Sequence, residues 1–198
     1  LNENYAQPAM PEGAEEGIIK GIYKVKTFEA KNDYKVKLLG SGSIFQEAMK
    51  AAEILSKEYD IKVEIYSVTS YNELTREAQD VERENLLNLD TTAKTPYIEK
   101  VLGSDTDSII ISATDYMKAY SEQLRPYIKG NFKALGTDGF GRSDSRANLR
   151  KFFEVDTNFI VYTTLAELAI NGKIDKKVAL EAKNKYAIDT NKINPRNA

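Results

Sequence analysis

The chain contains neither cysteine nor histidine. Without cysteine there can be no disulfide, thiolate metal site or cysteine nucleophile, and a reducing, cytoplasmic setting is expected. Without histidine the usual neutral-pH base and the commonest metal-binding imidazole are missing, which excludes Ser-His-Asp catalysis and zinc-histidine chemistry within these residues. Long apolar runs are missing too. The longest, around Ile109-Ile110-Ile111, falls far short of the ~18 residues a bilayer-crossing helix needs. No basic and apolar leader pattern opens the sequence, so neither a membrane-spanning nor an exported chain is expected. Positive charge is not in excess: 28 Lys and Arg stand against 30 Asp and Glu, for a net charge of -2, and nucleic acid is not an expected partner. The sequence opens with Leu1-Asn2-Glu3-Asn4 rather than Met, as expected of a piece of a longer chain.

What is present suits one folded domain. Of the 198 residues, 41% are hydrophobic and 29% charged, which argues against both a disordered and a fibrous chain. Pro8 and Pro11 forbid regular helix near the start, and Glu12, Glu15 and Glu16 keep that segment wet, so residues 1–30 are expected as an extended arm, with a short strand between Gly17 and Phe28. Residues 31–198 are expected as the domain proper.

There, Val36-Lys37-Leu38-Leu39 reads as a strand, Gly40-Ser41-Gly42-Ser43 as a turn, and Ile44, Ala48, Ala51, Ala52 and Leu55 as the apolar face of a helix with Ser43 as its N-cap. Strands are expected at Ile61 to Val68, Ser108 to Ser112 and Phe132 to Leu135. A short helix from Asn72 to Gln79 should lead into a charged loop at 82–95 punctuated by Pro96 and Gly103, and Met117, Tyr120, Leu124 and Ile128 should stripe a further helix. Helices should follow at 144–153, 157–170 and 175–187. Strands alternating with helices imply a three-layer αβα domain with a mainly parallel sheet.

Three clusters invite chemical readings. The Gly40–Ser43 turn sits where a dinucleotide pyrophosphate would lie, but Phe45 replaces the third glycine of that fingerprint and Glu64 falls within a strand rather than at its end. A plain βα turn is expected, with a free-standing nucleotide or small-ligand module as the alternative. Asp105, Asp107 and Asp115 lack the spacing of a calcium loop and should form a solvated acidic turn. The run from Gly136 through Arg146 is the most informative: Gly136, Gly139 and Gly141 permit close backbone approach, and Arg142, Arg146 and Arg150 recur every four residues. With Phe140 and Asp138 these arginines are the candidate docking surface, able to bind an anion or an acidic partner. The alternative is a structural loop in which Phe140 packs down and the arginines pair with nearby carboxylates.

The same run, together with Pro8-Ala9-Met10-Pro11-Glu12-Gly13-Ala14-Glu15-Glu16-Gly17, Leu38-Leu39-Gly40-Ser41-Gly42-Ser43, Ser67-Val68-Thr69-Ser70, Gln79-Asp80 with Glu82-Arg83, Thr114-Asp115-Tyr116-Met117, Phe153-Glu154-Val155-Asp156 and Ile193-Asn194-Pro195-Arg196, resembles the C-terminal domain of the homodimeric, transketolase-like pyruvate dehydrogenases that use thiamine diphosphate. Asn2-Glu3-Asn4-Tyr5 fits the same pattern. The resemblance runs over nearly the whole chain. It implies a parent enzyme that decarboxylates pyruvate on thiamine diphosphate with Mg²⁺ and passes the acetyl group to a lipoyl carrier, the cofactor supplying the hard chemistry. It also implies that cofactor and metal belong to upstream domains. This domain would carry no catalytic, cofactor-binding or metal-binding residue, would pack on those domains and the second subunit, and would face the lipoyl acyltransferase component. One departure stands out: where such proteins commonly carry Arg-Trp-Asn followed by histidine, this chain has Arg83-Glu84-Asn85 and then Asn88.

Overall fold

The computed structural model describes residues 8–198; Asn2-Glu3-Asn4-Tyr5 and the start of the expected arm lie outside them. Five strands form one sheet in the order β1-β3-β2-β4-β5. These are β1 (Ile22–Phe28), β2 (Asn32–Gly40), β3 (Ile61–Val68), β4 (Ile109–Ala113) and β5 (Asn131–Leu135). Strands β3, β2, β4 and β5 run parallel. The expected αβα class with a mainly parallel sheet is what the chain adopts.

The strand between Gly17 and Phe28 does not stay in an arm. Preceded by the short helix α1 (Glu15–Lys20), β1 pairs antiparallel with β3 from Ile22↔Val68 to Phe28↔Val63. Its exposed Lys24 and Lys26 and a bulge between them suit an edge strand, where charge and irregularity discourage pairing with another sheet.

Consecutive residues on the central strands face opposite layers, and both layers are covered. Leu38, Val63, Ile65, Ile109 and Ile111 point toward α2 (Phe45–Tyr59), α7 (Thr157–Ile170) and α8 (Lys176–Lys185). Leu39, Tyr66, Val68, Ile110 and Phe132 point toward α3 (Tyr71–Leu87), α4 (Tyr97–Leu102) and α5 (Lys118–Glu122). Every residue of β4 is buried, as a strand covered on both faces requires. From β2 the chain crosses through α2 to β3 on one side, then returns through α3 and α4 to β4 on the other. This reversal makes the carboxyl ends of β2 and β4 a topological switch point, the place where open α/β sheets form their crevices.

Several local expectations are corrected. Ser43 is not an N-cap: it lies inside a 3₁₀ turn, Gly42–Ile44, and its hydroxyl donates instead to Asp115 Oδ2 at 3.2 Å. The helix expected from Asn72 to Gln79 runs to Leu87, capped by Ser70, whose Oγ accepts the Glu73 N–H. Its buried residues end at Ala78, so the apolar stripe marked only the packed half; the rest lacks Gly and Pro, is rich in good helix formers, and is clamped by Asn85, which bonds the Lys94 backbone at 2.7 and 2.8 Å. The expected loop between Pro96 and Gly103 holds α4, with Ile98 and Leu102 buried four residues apart. The Met117-Tyr120-Leu124-Ile128 stripe breaks into α5 and the 3₁₀ turn Arg125–Tyr127 at Pro126, where the ring removes a helical N–H. Leu124 and Ile128 are buried, whereas Met117 and Tyr120 are exposed. Helix α6 (Arg146–Phe152), α7 and α8 lie where the sequence puts them.

Candidate functional site

Motifs scattered through the sequence converge on the carboxyl edge of the sheet. The end of β2 carries Gly40 and Ser41, the end of β3 carries Ser67 to Ser70, β4 leads into Thr114 to Met117, and β5 leads into the Gly136–Arg146 run. Gly40 is needed by packing: a Cβ there would lie 2.8 Å from Phe45 Cα. Gly42 has φ +53°, and a Cβ on it would meet the Asp115 carboxylate at 3.2 Å. The turn that resembles a pyrophosphate cradle therefore faces an acid of its own chain, which would repel a phosphate group.

Beneath this edge lies a cluster of buried hydroxyls. Ser41 Oγ and Thr114 Oγ1 are 2.7 Å apart, Tyr71 Oη and Ser112 Oγ 2.9 Å, and Ser121 Oγ donates to Ser112 Oγ at 2.7 Å. Thr114 Oγ1 also accepts the Tyr116 N–H at 3.2 Å. All five hydroxyl side chains are buried, and burial pushes the Tyr71 phenol up while its bonds to Ser112, Ser41 and Ser121 pull it back. A buried hydroxyl left without a partner costs about 1 to 3 kcal/mol, so mutual pairing is what lets this cluster exist in the core. Apolar periodicity in the sequence does not report it.

Two concavities open on either side of the Gly40–Ser43 turn. The larger, about 600 Å³, lies over Ser41, Ser70, Tyr71, Tyr116 and Tyr120, and none of its lining residues is charged. The smaller, about 360 Å³, brings Arg142, Arg146 and Arg150 together with Ser43, Asp115 and Thr137 over an apolar floor of Ile44, Leu149 and Phe153. The expected arginine row is real, but its members do different things. The Arg142 guanidinium stacks 4.4 Å from the Phe152 ring centroid. Arg150 is largely buried and donates to Glu47 Oε1 at 2.9 Å and to the Ser43 carbonyl at 3.4 Å. Arg146 faces the cavity.

The other two candidates separate. Asp138 accepts the Lys118 N–H at 3.0 Å and braces the loop. Phe140 is 87% exposed, so the reading in which it packs down is wrong: Gly139 instead fits against Pro195, where a Cβ would lie 2.7 Å from the Pro195 carbonyl oxygen, and this close backbone contact leaves the neighbouring ring outside. Asp105 and Asp107 precede β4 and Asp115 follows it, at opposite ends of the strand. Lys35 reaches both, at 2.9 and 3.4 Å, and Lys173 reaches Asp107 at 3.2 Å.

One residue of this region escaped the sequence reading. Glu47 is buried and accepts from Arg150, from Thr157 Oγ1 at 2.6 Å, from the Thr157 N–H at 3.0 Å and from Lys50 at 3.4 Å. Burial opposes its ionisation, but the Thr157 bonds and the charges of Lys50 and Arg150 outweigh that and hold its carboxyl below the usual range. It joins α2 to the start of α7 and fixes Arg150. The available signal was its position: Glu47 falls on the apolar face set by Ile44, Ala48 and Ala51. Nearby, burial raises the carboxyl of Asp156, the N-cap of α7, against the Phe159 N–H bond that stabilises its charge.

At the larger cavity and its glycine turn the donor set does not fit thiamine diphosphate and Mg²⁺. The larger cavity holds no cation, the glycine turn faces Asp115, and no group of three His, Cys, Asp or Glu able to hold a metal occurs among the described residues. No helix among them is long and apolar enough to cross a membrane.

Comparison with known proteins matches residues 21–156 to the family described as transketolase-like TK C-terminal domain. The chain is 54% identical over 197 residues to the pyruvate dehydrogenase E1 component of Escherichia coli K12, covering 99% of this chain and 22% of that protein. It is 49% identical over 196 residues to the pyruvate dehydrogenase E1 component of Pseudomonas aeruginosa, covering 98% of this chain and again 22% of the relative. The chain thus spans under a quarter of the length of these relatives. Among solved structures, transketolase from Campylobacter jejuni shares the fold, with a TM-score of 0.52, 18% identity and coverage of 80% of this chain and 20% of that one.

Proposed function

The chain belongs to the transketolase-like C-terminal domain family, and from that premise we propose that it is the C-terminal, noncatalytic domain of a pyruvate dehydrogenase. The observation that carries this reading is 54% identity along 99% of the chain to 22% of the length of a pyruvate dehydrogenase E1 component. The parent oxidatively decarboxylates pyruvate with thiamine diphosphate and Mg²⁺ held by its upstream domains, and transfers the acetyl group to a lipoyl carrier. The task of these residues is assembly: they pack on the catalytic domains and help form the dimer. The lack of histidine and the poor fit of the neutral cavity and its glycine turn to a diphosphate both support placing the chemistry elsewhere.

Thiamine diphosphate titrated into the 198-residue chain should give no saturable heat, and pyruvate should not turn over. A micromolar binding curve would overturn the reading. The arginine cavity is the docking candidate within this function, because Arg142 and Arg146 line one concavity with Ser43 and Thr137 and suit an acidic partner such as a lipoyl-bearing domain. In the full parent, Arg142→Ala with Arg146→Ala should slow acetyl transfer to the carrier while leaving decarboxylation with an artificial acceptor unchanged. A rate of acetyl transfer unchanged from that of the unsubstituted parent would remove the docking role.

A further inference from the structure

The larger cavity differs from the rest of the surface in composition. Charged residues make up 29% of the chain, yet none lines this concavity. Its lining includes Tyr116 and Tyr120, exposed by 58% and 39%, and Met117, next to Tyr116 in the sequence, is 55% exposed. The cores of protein interfaces are depleted of charge and enriched in Tyr and Met relative to other surface, and exposed apolar groups gathered at one place mark contact sites. The rim is also rigid. Tyr116 and Tyr120 pack edge to face with centroids 5.8 Å apart. The turn that carries Tyr116 into α5 is pinned by the Tyr116 N–H to Thr114 at 3.2 Å, the Thr137 N–H to the Tyr116 carbonyl at 2.9 Å and the Lys118 N–H to Asp138 at 3.0 Å. Side chains already held in place lose little entropy when a partner arrives.

A third observation names the partner. Pro8 is itself part of the cavity lining, so the backbone approaches the domain along this edge, and the relatives carry more than three quarters of their length outside the matched region. A second set of exposed apolar residues, Leu86 and Leu87 on the half of α3 with no buried residue and Leu89 just beyond it, lines neither concavity. A phosphorylated ligand is disfavoured in the cavity, which offers no cation and has Asp115 behind Gly42.

We propose that the charge-free cavity, with Tyr116 and Tyr120 at its rim, forms the seat of the polypeptide that precedes this domain in its parent chain. The proposal rests on the reading of the chain as a domain of a longer enzyme and adds the surface by which it is held. Tyrosine nitration with tetranitromethane compares the two states without any substitution. Tyr116 and Tyr120 should react readily in the 198-residue chain and at least about 10-fold more slowly in the full parent, as expected for burial in an interface core. A photo-crosslinking residue placed at Tyr116 of the parent should capture peptides upstream of this domain in the same subunit, while one at Leu86 should not. Equal nitration in both forms, cross-links to the other subunit alone, or capture of upstream peptides from Leu86 but not Tyr116 would overturn it. A parent that shows the protection and cross-links but no pyruvate turnover would sink the proposed activity and leave this surface standing; an active parent with Tyr116 unprotected would do the reverse.

Discussion

The two concavities at the carboxyl edge share one turn and almost nothing else. On one side of Gly40–Ser43 the lining is neutral, with hydroxyls linked to each other beneath it. On the other, three arginines and Asp115 gather over an apolar floor, with the buried Glu47–Arg150 pair behind them. The difference teaches that a single βα switch point can present one face suited to permanent burial and another suited to a charged, exchangeable contact. Neutral surface is cheap to desolvate, whereas each guanidinium must keep water or an acid.

The sharpest way to break this contrast is at Glu47. Glu47→Ala leaves Arg150 largely buried without its carboxylate, and should destabilise the chain by about 3 kcal/mol, read as a lowered urea midpoint at pH 7; a change under about 0.5 kcal/mol, the level of an ordinary surface substitution, would show that the pair holds nothing. On the neutral side, Ser112→Ala removes the hydroxyl shared by Tyr71 and Ser121 and should cost about 1 to 2 kcal/mol, with little sensitivity to salt. Neither cost should depend strongly on ionic strength, because the Glu47–Arg150 pair is buried and salt screens buried pairs little.

A pH titration sharpens the comparison further. The Glu47 carboxyl is lower in the folded state than its ordinary value of 4.5, so its contribution is fully present above that value and is lost as pH falls through the folded one. Unfolding midpoints measured from pH 7 to pH 3 should decline below about pH 4.5, near the carboxylate reference, and Glu47→Gln should flatten part of that decline. Asp156, raised by burial, works in the opposite sense and gains on acidification, so an unchanged slope in the Gln variant would mean that the observed decline comes from other carboxylates. The smallest effect is expected at the exposed rim of the neutral cavity. Tyr116→Ser should shift the stability of the isolated chain by no more than about 0.5 kcal/mol, so a large loss there would mean that the tyrosine pair supports this fold rather than awaiting a partner.

Much of this edge was legible beforehand, for a definite reason. Each strand of the parallel set announces itself through local composition, and glycine marks the turns, so the alternation of elements and the arginine row could be read directly. What escaped were features made by residues remote in sequence: Glu47 meeting Arg150 and Thr157 across more than a hundred positions, Ser112 meeting Tyr71, and Pro195 holding Gly139 so that Phe140 is left outside. The second half of α3 and all of α4 escaped differently, since neither presents an apolar stripe long enough to register as a helix.

By itself the sequence determined the αβα class, the family resemblance, and the exclusion of cysteine and histidine chemistry, because composition and short-range periodicity are properties of neighbours along the chain. Only the tertiary structure decided that β1 joins the sheet antiparallel beside β3, that the glycine turn faces a carboxylate, and that charge is sorted to one side of the switch point. Those outcomes depend on which distant side chains can share a buried partner, and desolvation settles that only once the layers have closed.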